Sequence, residues 1–451
     1  MRHDQDAAIP AATVADEARS ALLADLMGQV AGCFPRRETR QCCGQMVHGL
    51  LMELDDHNCW TIAEAIGHRG PHRLQHLLSR AVWDDQHLMD IASAWAAGHL
   101  DDGDAVLIVD ETADEKSSAD CAGAARQDSG TLGGVALCQV AVTLTYATSR
   151  GHALIGQRAL YLPGGCAADE EHRELAGVPE EVLFATKPQL AAALLEHAQS
   201  LGIRAAFVAG DEVYGGRELR RSIRQHGMGY VLAVRANHTV TTGSGRTVTA
   251  AAAAGMIPAR AWHRMRTGSG TKGTRHYDWA MLEVASDDTP AGHGEGHSVL
   301  LARRHRYTGT LSYYRCWTPG PVPLSKLIAI AVARWKIEED HQLSKQAVGL
   351  DAGQVIRWKS WHRWTAICLL AYLYLAVAVA LQREQDAGSG LDDGLIPVTV
   401  PELLRLLRGI VIPPPRRDRP HRLHWSDWRR RHQHRARQAH QRWNAYAETT
   451  P

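Results

Sequence analysis

Three carboxylates stand out by type and setting. Asp110 closes the apolar run Ala105-Val106-Leu107-Ile108-Val109, and Asp211 closes a second run from Ala205 to Gly210. A short continuous apolar run ending in an acid reads as a strand buried on both faces, with the acid at the sheet edge. Glu338 lies in Arg334-Trp335-Lys336-Ile337-Glu338-Glu339, which reads as a helix continuous with the apolar run from Leu324 to Val332. Arg334, four residues before Glu338, and Lys345, seven after it, share its helical face. Glu339 lies over Val332, Trp335, Leu343 and Gln346, a greasier stripe, so Glu338 is the better candidate for chemistry. If the strands ending at Asp110 and Asp211 are neighbours, both acids emerge at one edge, and a helix packed on the sheet can bring Glu338 there. Three carboxylates so placed form an oxygen site for two Mg²⁺ or Mn²⁺ ions. Such a pair, about 4 Å apart, can activate a water and stabilise the leaving oxygen of a phosphodiester. Taken singly, each feature has a plainer reading: a strand-end turn for either Asp, a solvated ion-paired helix for Arg334 to Lys345.

The surrounding elements must supply that arrangement. Residues 1 to about 30 read as a loose, Ala-rich lead-in, and Gln41 to Leu54 as a helix. Between Trp60 and Leu78 a short helix, a Gly/Pro turn and a second helix follow, with Arg73, Gln75 and His76 outward. That is a helix-turn-helix candidate for DNA contact, or a plain packing hairpin. The run to Asp110, then Val135 to Thr148, then Ala153 to Leu162 read as consecutive antiparallel strands, with 114–116 and 130–134 as loop. Lys187 to Ser200 (helix), the run to Asp211 (strand), Arg217 to His226 (helix) and Tyr230 to Val234 (strand) follow. The fold class is α/β, a mixed sheet with flanking helices. From 235 to 321, Gly, Thr and Ser become frequent, strands are short, and basic clusters recur at 262–266, 272–276 and 303–306. Five segments result: a helical 1–100, a core in two parts (101–234 and 322–386), a β-rich insertion at 235–321, and a Pro/Arg-rich tail at 387–451. In the tail, Pro413-Pro414-Pro415 makes a rigid break, followed by ten arginines between Arg416 and Arg442. Such a run is a nucleic-acid contact or a solvated tail.

The totals narrow the classes. The chain of 451 residues has 45% apolar and 22% charged residues, ordinary globular values, and a net charge of +1. Without a global basic field, nucleic-acid binding must come from local patches. Nine Cys without a CxxC pair suit reduced thiols and argue against structural zinc. No signal-peptide pattern opens the chain. The apolar run from Ala366 to Leu381 is short for a membrane span and reads as a buried core helix.

Several segments together resemble a known family: Cys59 to Ala65, Val109-Asp110-Glu111-Thr112, Ala185-Thr186-Lys187-Pro188, Gly210 to Gly215, Tyr277-Asp278-Trp279-Ala280 and Arg334 to Glu339. From about Cys33 to the Trp/Arg tail, the chain resembles bacterial insertion-sequence transposases of the DDE superfamily, in particular insertion-sequence family seven-oh-one. The resemblance implies a ribonuclease-H-like core. It implies catalytic, metal-binding roles for Asp110, Asp211 and Glu338 with two Mg²⁺ or Mn²⁺ ions. Arg334 and Lys345 match the Arg and Lys of the spaced Tyr-Arg-Glu-Lys signature and would contact DNA, while Ala331 stands where that signature has Tyr. Trp262 and Trp279 are candidates for stacking on a flipped base, against a core role for each. The implied activity is cut-and-paste transposition: cleavage at the element's ends frees a 3′-hydroxyl, which attacks target DNA. The implied partners are double-stranded DNA (terminal inverted repeats and target) and a second copy of the chain, with no membrane and a cytoplasmic, nucleoid-associated location. Two rival readings remain open on the residues: a degenerate DNA-binding repressor of transposition, and a metal-dependent nuclease that never joins strands.

Overall fold

The computed structural model describes residues 5–130, 132–270, 273–388 and 396–449. Five helices lead: α1 (Gln5–Gln29), α2 (Arg37–Leu51), α3 (Cys59–Ala65), α4 (His72–Ser79) and α5 (Asp85–Leu100). Then come β1 (Val106–Glu115), β2 (Ala125–Ser129), β3 (Gly134–Ala147) and β4 (His152–Tyr161). Two short helices, α6 (Gly164–Ala168) and α7 (Glu170–Ala176), precede α8 (Lys187–Ser200), β5 (Phe207–Gly210), α9 (Arg217–Gln225) and β6 (Gly229–Val234). The segment with frequent Gly and Thr forms β7 (Thr239–Thr241), β8 (Thr247–Thr249), α10 (Ala250–Gly255), β9 (His263–Gly270), β10 (Gly273–Glu283), β11 (His297–Arg304) and β12 (Leu311–Thr318). The chain closes with α11 (Leu324–Ala333), α12 (Trp335–Val348), α13 (Trp358–Gly388), α14 (Val400–Ile410) and α15 (Arg419–Thr449).

The architecture is mixed α/β around one large mixed sheet. β3 pairs antiparallel with β1 on one side and with β4 and β2 on the other. β5 adds parallel to β1, and β6 parallel to β5. β12 then pairs antiparallel with β6 and continues through β11 and β10 to β9. The β-rich segment therefore extends the main sheet, apart from the β7–β8 pair.

Local chemistry accounts for the boundaries. Thr186 and Gln189 form a reciprocal capping box at the start of α8, with Pro188 in its first turn. Asn58 and Thr61 do the same for α3. α12 stops at Gly349, whose φ of 63° and close approach to the His57 ring exclude a side chain. α13 is the helix the rest packs on: Ser360 to Ala380 is buried without interruption. Although apolar enough to cross a membrane, it has 94% of its apolar window inside the protein, matching the core-helix reading.

Four expectations change. β1 runs on to Glu115 instead of ending at Asp110, because β3 continues to pair with it as far as Cys138. Residues 5–29 form a helix whose Leu23 and Leu26 are buried, so that stretch is not a loose lead-in. α11 and α12 are separate helices meeting at Arg334, which keeps helical dihedrals. The 387–451 segment is no simple tail, since α14 packs into the core and α15 is a helix of 31 residues. Lys272, in the basic cluster at 272–276, lies outside the described residues.

Candidate active site

The site begins where β5 leaves β1. The parallel register ends at Val109↔Gly210, so Asp110 and Asp211 follow side by side, one on a continuing strand and one in a turn. Gly210 is required there: a Cβ would lie 2.9 Å from Val109 Cγ2 and 3.1 Å from Leu232 Cδ2. The turn is closed by Asp211 Oδ1, which accepts from the Val213 N–H at 2.8 Å. Gly215 ends it, because a Cβ would sit 2.4 Å from the Ala233 carbonyl oxygen. Asp110 Oδ1 accepts from the Glu111 N–H at 2.8 Å.

Burial, then the Asp211 charge, pushes Asp110 up to about 7, against the pull of Arg334. Asp211 is also raised, first by burial, with Glu111 adding to it. Glu111 itself is held by Lys187 Nζ at 2.7 Å and by the Tyr214 hydroxyl at 2.5 Å, so it faces α8 and the turn after β5. Burial, then the Glu111 charge, drives the Tyr214 phenol far above its ordinary range, so it acts as a donor.

Arg334 joins the third carboxylate to this pair. Its Nη1 lies 3.3 Å from Asp110 Oδ2 and 3.3 Å from Glu338 Oε1. The Glu338 side chain is 46% exposed and Asp110 only 13%, so the group opens to solvent on the helix side. Among the described residues, no three His, Cys, Asp or Glu side chains close on one point tightly enough to hold a metal. The guanidinium already stands between Asp110 and Glu338. The donor set nevertheless fits a hard dication, since it offers carboxylate oxygens alone, and two of them carry incompletely neutralised charge.

Helix α12 is anchored by buried polar groups that the sequence pattern did not flag. Asp340 accepts from Thr145 Oγ1 at 2.7 Å and the Tyr372 hydroxyl at 2.5 Å, and lies 2.8 Å from His152 Nδ1. Burial works against the charged form of His152, but the Asp340 charge and hydrogen bond outweigh it and raise its pKa. His341 lies 2.7 Å from Thr143 Oγ1, and burial lowers it to about 3, so it is a neutral ring. Lys336 donates to the Thr148 carbonyl at 2.7 Å. These contacts bind the helix to β3, β4 and α13 and hold Glu338 over the β1 edge.

The remaining expected contacts scatter. Lys345 shares the Glu338 face but donates to the Ala113 carbonyl at 2.7 Å and lies 3.4 Å from Asp114, a buried acid paired with Arg158. As placed, it ties α12 to β1 instead of reaching outward. Trp279 is fully buried and stacked on Tyr314, so it is a core residue and presents no face to a base. Trp262 is half-buried with the Arg304 guanidinium over its ring at 4.4 Å. Arg73 and Gln75 are exposed on α4, away from the carboxylates, and line an open cavity of about 730 Å³ with Arg36, His72, His76 and Arg80. Ala331 is buried on α11.

Comparison with known proteins gives this arrangement a family. The family model described as DDE superfamily endonuclease matches residues 29–274, more than half of the chain, and the chain belongs to that family. The match contains Asp110 and Asp211 and ends before Glu338. A curated relative, "Probable transposase for insertion sequence element IS701" of Microchaete diplosiphon, is 28% identical over 194 residues, 43% of this chain. The chain spans 48% of that relative's length. Together these bear out the resemblance to insertion-sequence DDE transposases. A cryo-EM structure of the piggyBac transposase synaptic complex with hairpin DNA aligns over 83% of this chain and 70% of its own, with a TM-score of 0.44 and 11% identity.

Proposed function

We propose that this protein is a metal-dependent DNA transposase that cuts at the ends of an insertion sequence and joins the freed 3′-hydroxyl to target DNA. The observation that carries the proposal is the placement of Asp110 and Asp211 just past the last paired residues of the adjacent parallel strands β1 and β5, with Glu338 linked to Asp110 through Arg334. The strand order β4-β3-β1-β5-β6, in which β3 alone runs opposite to the other four, supports a ribonuclease-H-like core. The core would comprise 101–234 and 322–386, with 235–321 as an insertion that enlarges its sheet and 1–100 as a helical domain.

In this reading Asp110, Asp211 and Glu338 would hold two Mg²⁺ or Mn²⁺ ions, which would supply water activation and charge neutralisation at a phosphodiester. Burial and neighbouring negative charge raise both Asp110 and Asp211, so a dication at the site would favour their ionised forms. Arg334 leaves the carboxylates and takes a DNA phosphate, for which its planar fork is suited. Lys187 and Tyr214 keep Glu111 turned away, leaving Asp110 as the β1 acid that faces the scissile bond. The buried Asp340 network holds Glu338 in register with both Asp residues. Joining two ends requires at least two copies of the chain, and the expected location is the cytoplasmic nucleoid.

The test incubates the full chain with a DNA fragment bearing the element's own ends and Mg²⁺ or Mn²⁺, beside an Asp211→Ala variant. Metal-dependent nicks at the element boundary, absent from the variant, are expected. DNA binding without nicks in either sample overturns the proposal and favours a repressor.

A further inference from the structure

Helix α15 carries an unusual division of its surface. His421, Trp425, Trp428 and His432 recur at helical spacing on one face. That face lies on the α3–α4 hairpin. Trp425 is fully buried and donates its indole N–H to the His68 carbonyl at 3.0 Å. A ring nitrogen of His421 lies 2.7 Å from the Glu64 carbonyl oxygen. Trp428 meets Trp60 edge-on at 4.8 Å and stacks on His432 at 5.2 Å. Arg429 pairs with Glu64 at 2.5 Å. The hairpin and the first half of α15 are therefore one packed unit.

The other faces of α15 are exposed and basic. Arg430 and Arg437 lie opposite the tryptophan stripe, and Arg431, Arg435 and Arg442 form a second row that flanks the stripe, about a third of a turn from them. Asp427 and Glu448 are the only acids in the helix. Like charges four apart, such as Arg431 and Arg435, disfavour an isolated helix by a few tenths of a kcal/mol per pair, which a polyanion relieves. Trp425 and Trp428 are used in the hairpin contact, and the exposed Leu423, Trp443 and Tyr446 are too few and too far apart along the helix to make a continuous greasy face for a membrane. At 1.5 Å per residue, 31 residues extend about 46 Å, more than one turn of duplex DNA. His72, at the start of α4, lies 5.8 Å from the Trp428 ring, so the tryptophan face of α15 adjoins the basic cavity lined by Arg36, Arg73 and Arg80, and the helix and the cavity add to one basic region.

We propose that α15 and the α3–α4 hairpin form one duplex-DNA-binding element. Trp60, Trp425 and Trp428 fix the angle between α4 and α15, and the α15 arginines run along the phosphate backbone. This rests on the transposase reading for the identity of the polyanion, but not on any role of the three carboxylates.

The experiment measures binding of the full chain to a random-sequence duplex across a salt series. The exposed triple variant Arg430→Gln/Arg435→Gln/Arg437→Gln should keep the wild-type circular dichroism and melting temperature. Its slope of log K against log salt should fall by about 0.9 for each phosphate contact removed, or up to about 2.7 in all. Trp428→Ala should weaken binding while changing that slope little, because it loosens the angle without removing charge. An unchanged slope in the triple variant, with wild-type binding intact, overturns this inference and leaves the transposase proposal standing. Displacement of the duplex by polyglutamate at equal charge concentration also overturns it. Wild-type protein that binds no duplex overturns both.

Discussion

Replacing Asp110 with Asn measures how much unneutralised charge the site stores. In the fold Asp110 keeps its proton up to about 7, whereas the ordinary value is 3.8. Each pH unit of that difference is worth about 1.4 kcal/mol, so ionising Asp110 in the folded, metal-free site costs up to about 4 kcal/mol. The sign follows from proton binding. Between the two values the folded state holds the proton and the unfolded chain does not, so stability falls as pH rises from about 4 to about 7. Asn keeps the Oδ1 that accepts from the Glu111 N–H, but it loses the charge that Arg334 contacts at 3.3 Å, which offsets part of the gain. In EDTA at about pH 8, Asp110→Asn should therefore be more stable than wild type by about 2–4 kcal/mol, with the gap closing toward pH 4. Urea titrations at a series of pH values, followed by circular dichroism, read this directly. Mg²⁺ should then stabilise the wild type and leave the variant nearly unchanged. A gap that does not vary with pH, or a variant less stable than wild type at the higher pH, refutes the reasoning.

Three further outcomes follow from the same geometry. Arg334→Gln removes the cation lying between Asp110 and Glu338, so without DNA it should bind Mn²⁺ about ten-fold more tightly by calorimetry, while cleavage falls; equal Mn²⁺ affinity would show that the guanidinium does not compete for the site. Asp340→Ala leaves Thr145, Tyr372 and His152 without their shared buried acceptor and should cost about 3–5 kcal/mol in chemical denaturation. Gly215→Ala forces a methyl against the Ala233 carbonyl and should cost about 1–3 kcal/mol; a loss near zero would mean that the turn after β5 shifts freely.

The parts of this molecule that were legible in its sequence are those buried because they are apolar. The runs ending at Val109 and Gly210 announced two interior strands, and the adjacency of Asp110 and Asp211 followed once those strands were neighbours. The uninterrupted run in α13 announced a core helix. What escaped is buried because it is paired. β1 continues through Asp114 and Glu115, which read as a loop because they are acids; Asp114 is interior because Arg158 and Lys345 neutralise it. Asp340 offers no apolar signature, yet it anchors the Glu338 helix through three partners that lie far away in sequence. α15 was masked by its arginines, although the spacing of His421, Trp425, Trp428 and His432 already described a packed face. A hydrophobicity pattern detects burial only where transfer from water is favourable by itself. Where a charge is interior, its counter-charge is the signal, and sequence distance hides that counter-charge. The same logic applies to the carboxylate cluster: Asp110 is interior and only partly neutralised by Arg334, and the charge left over is what a dication would complete.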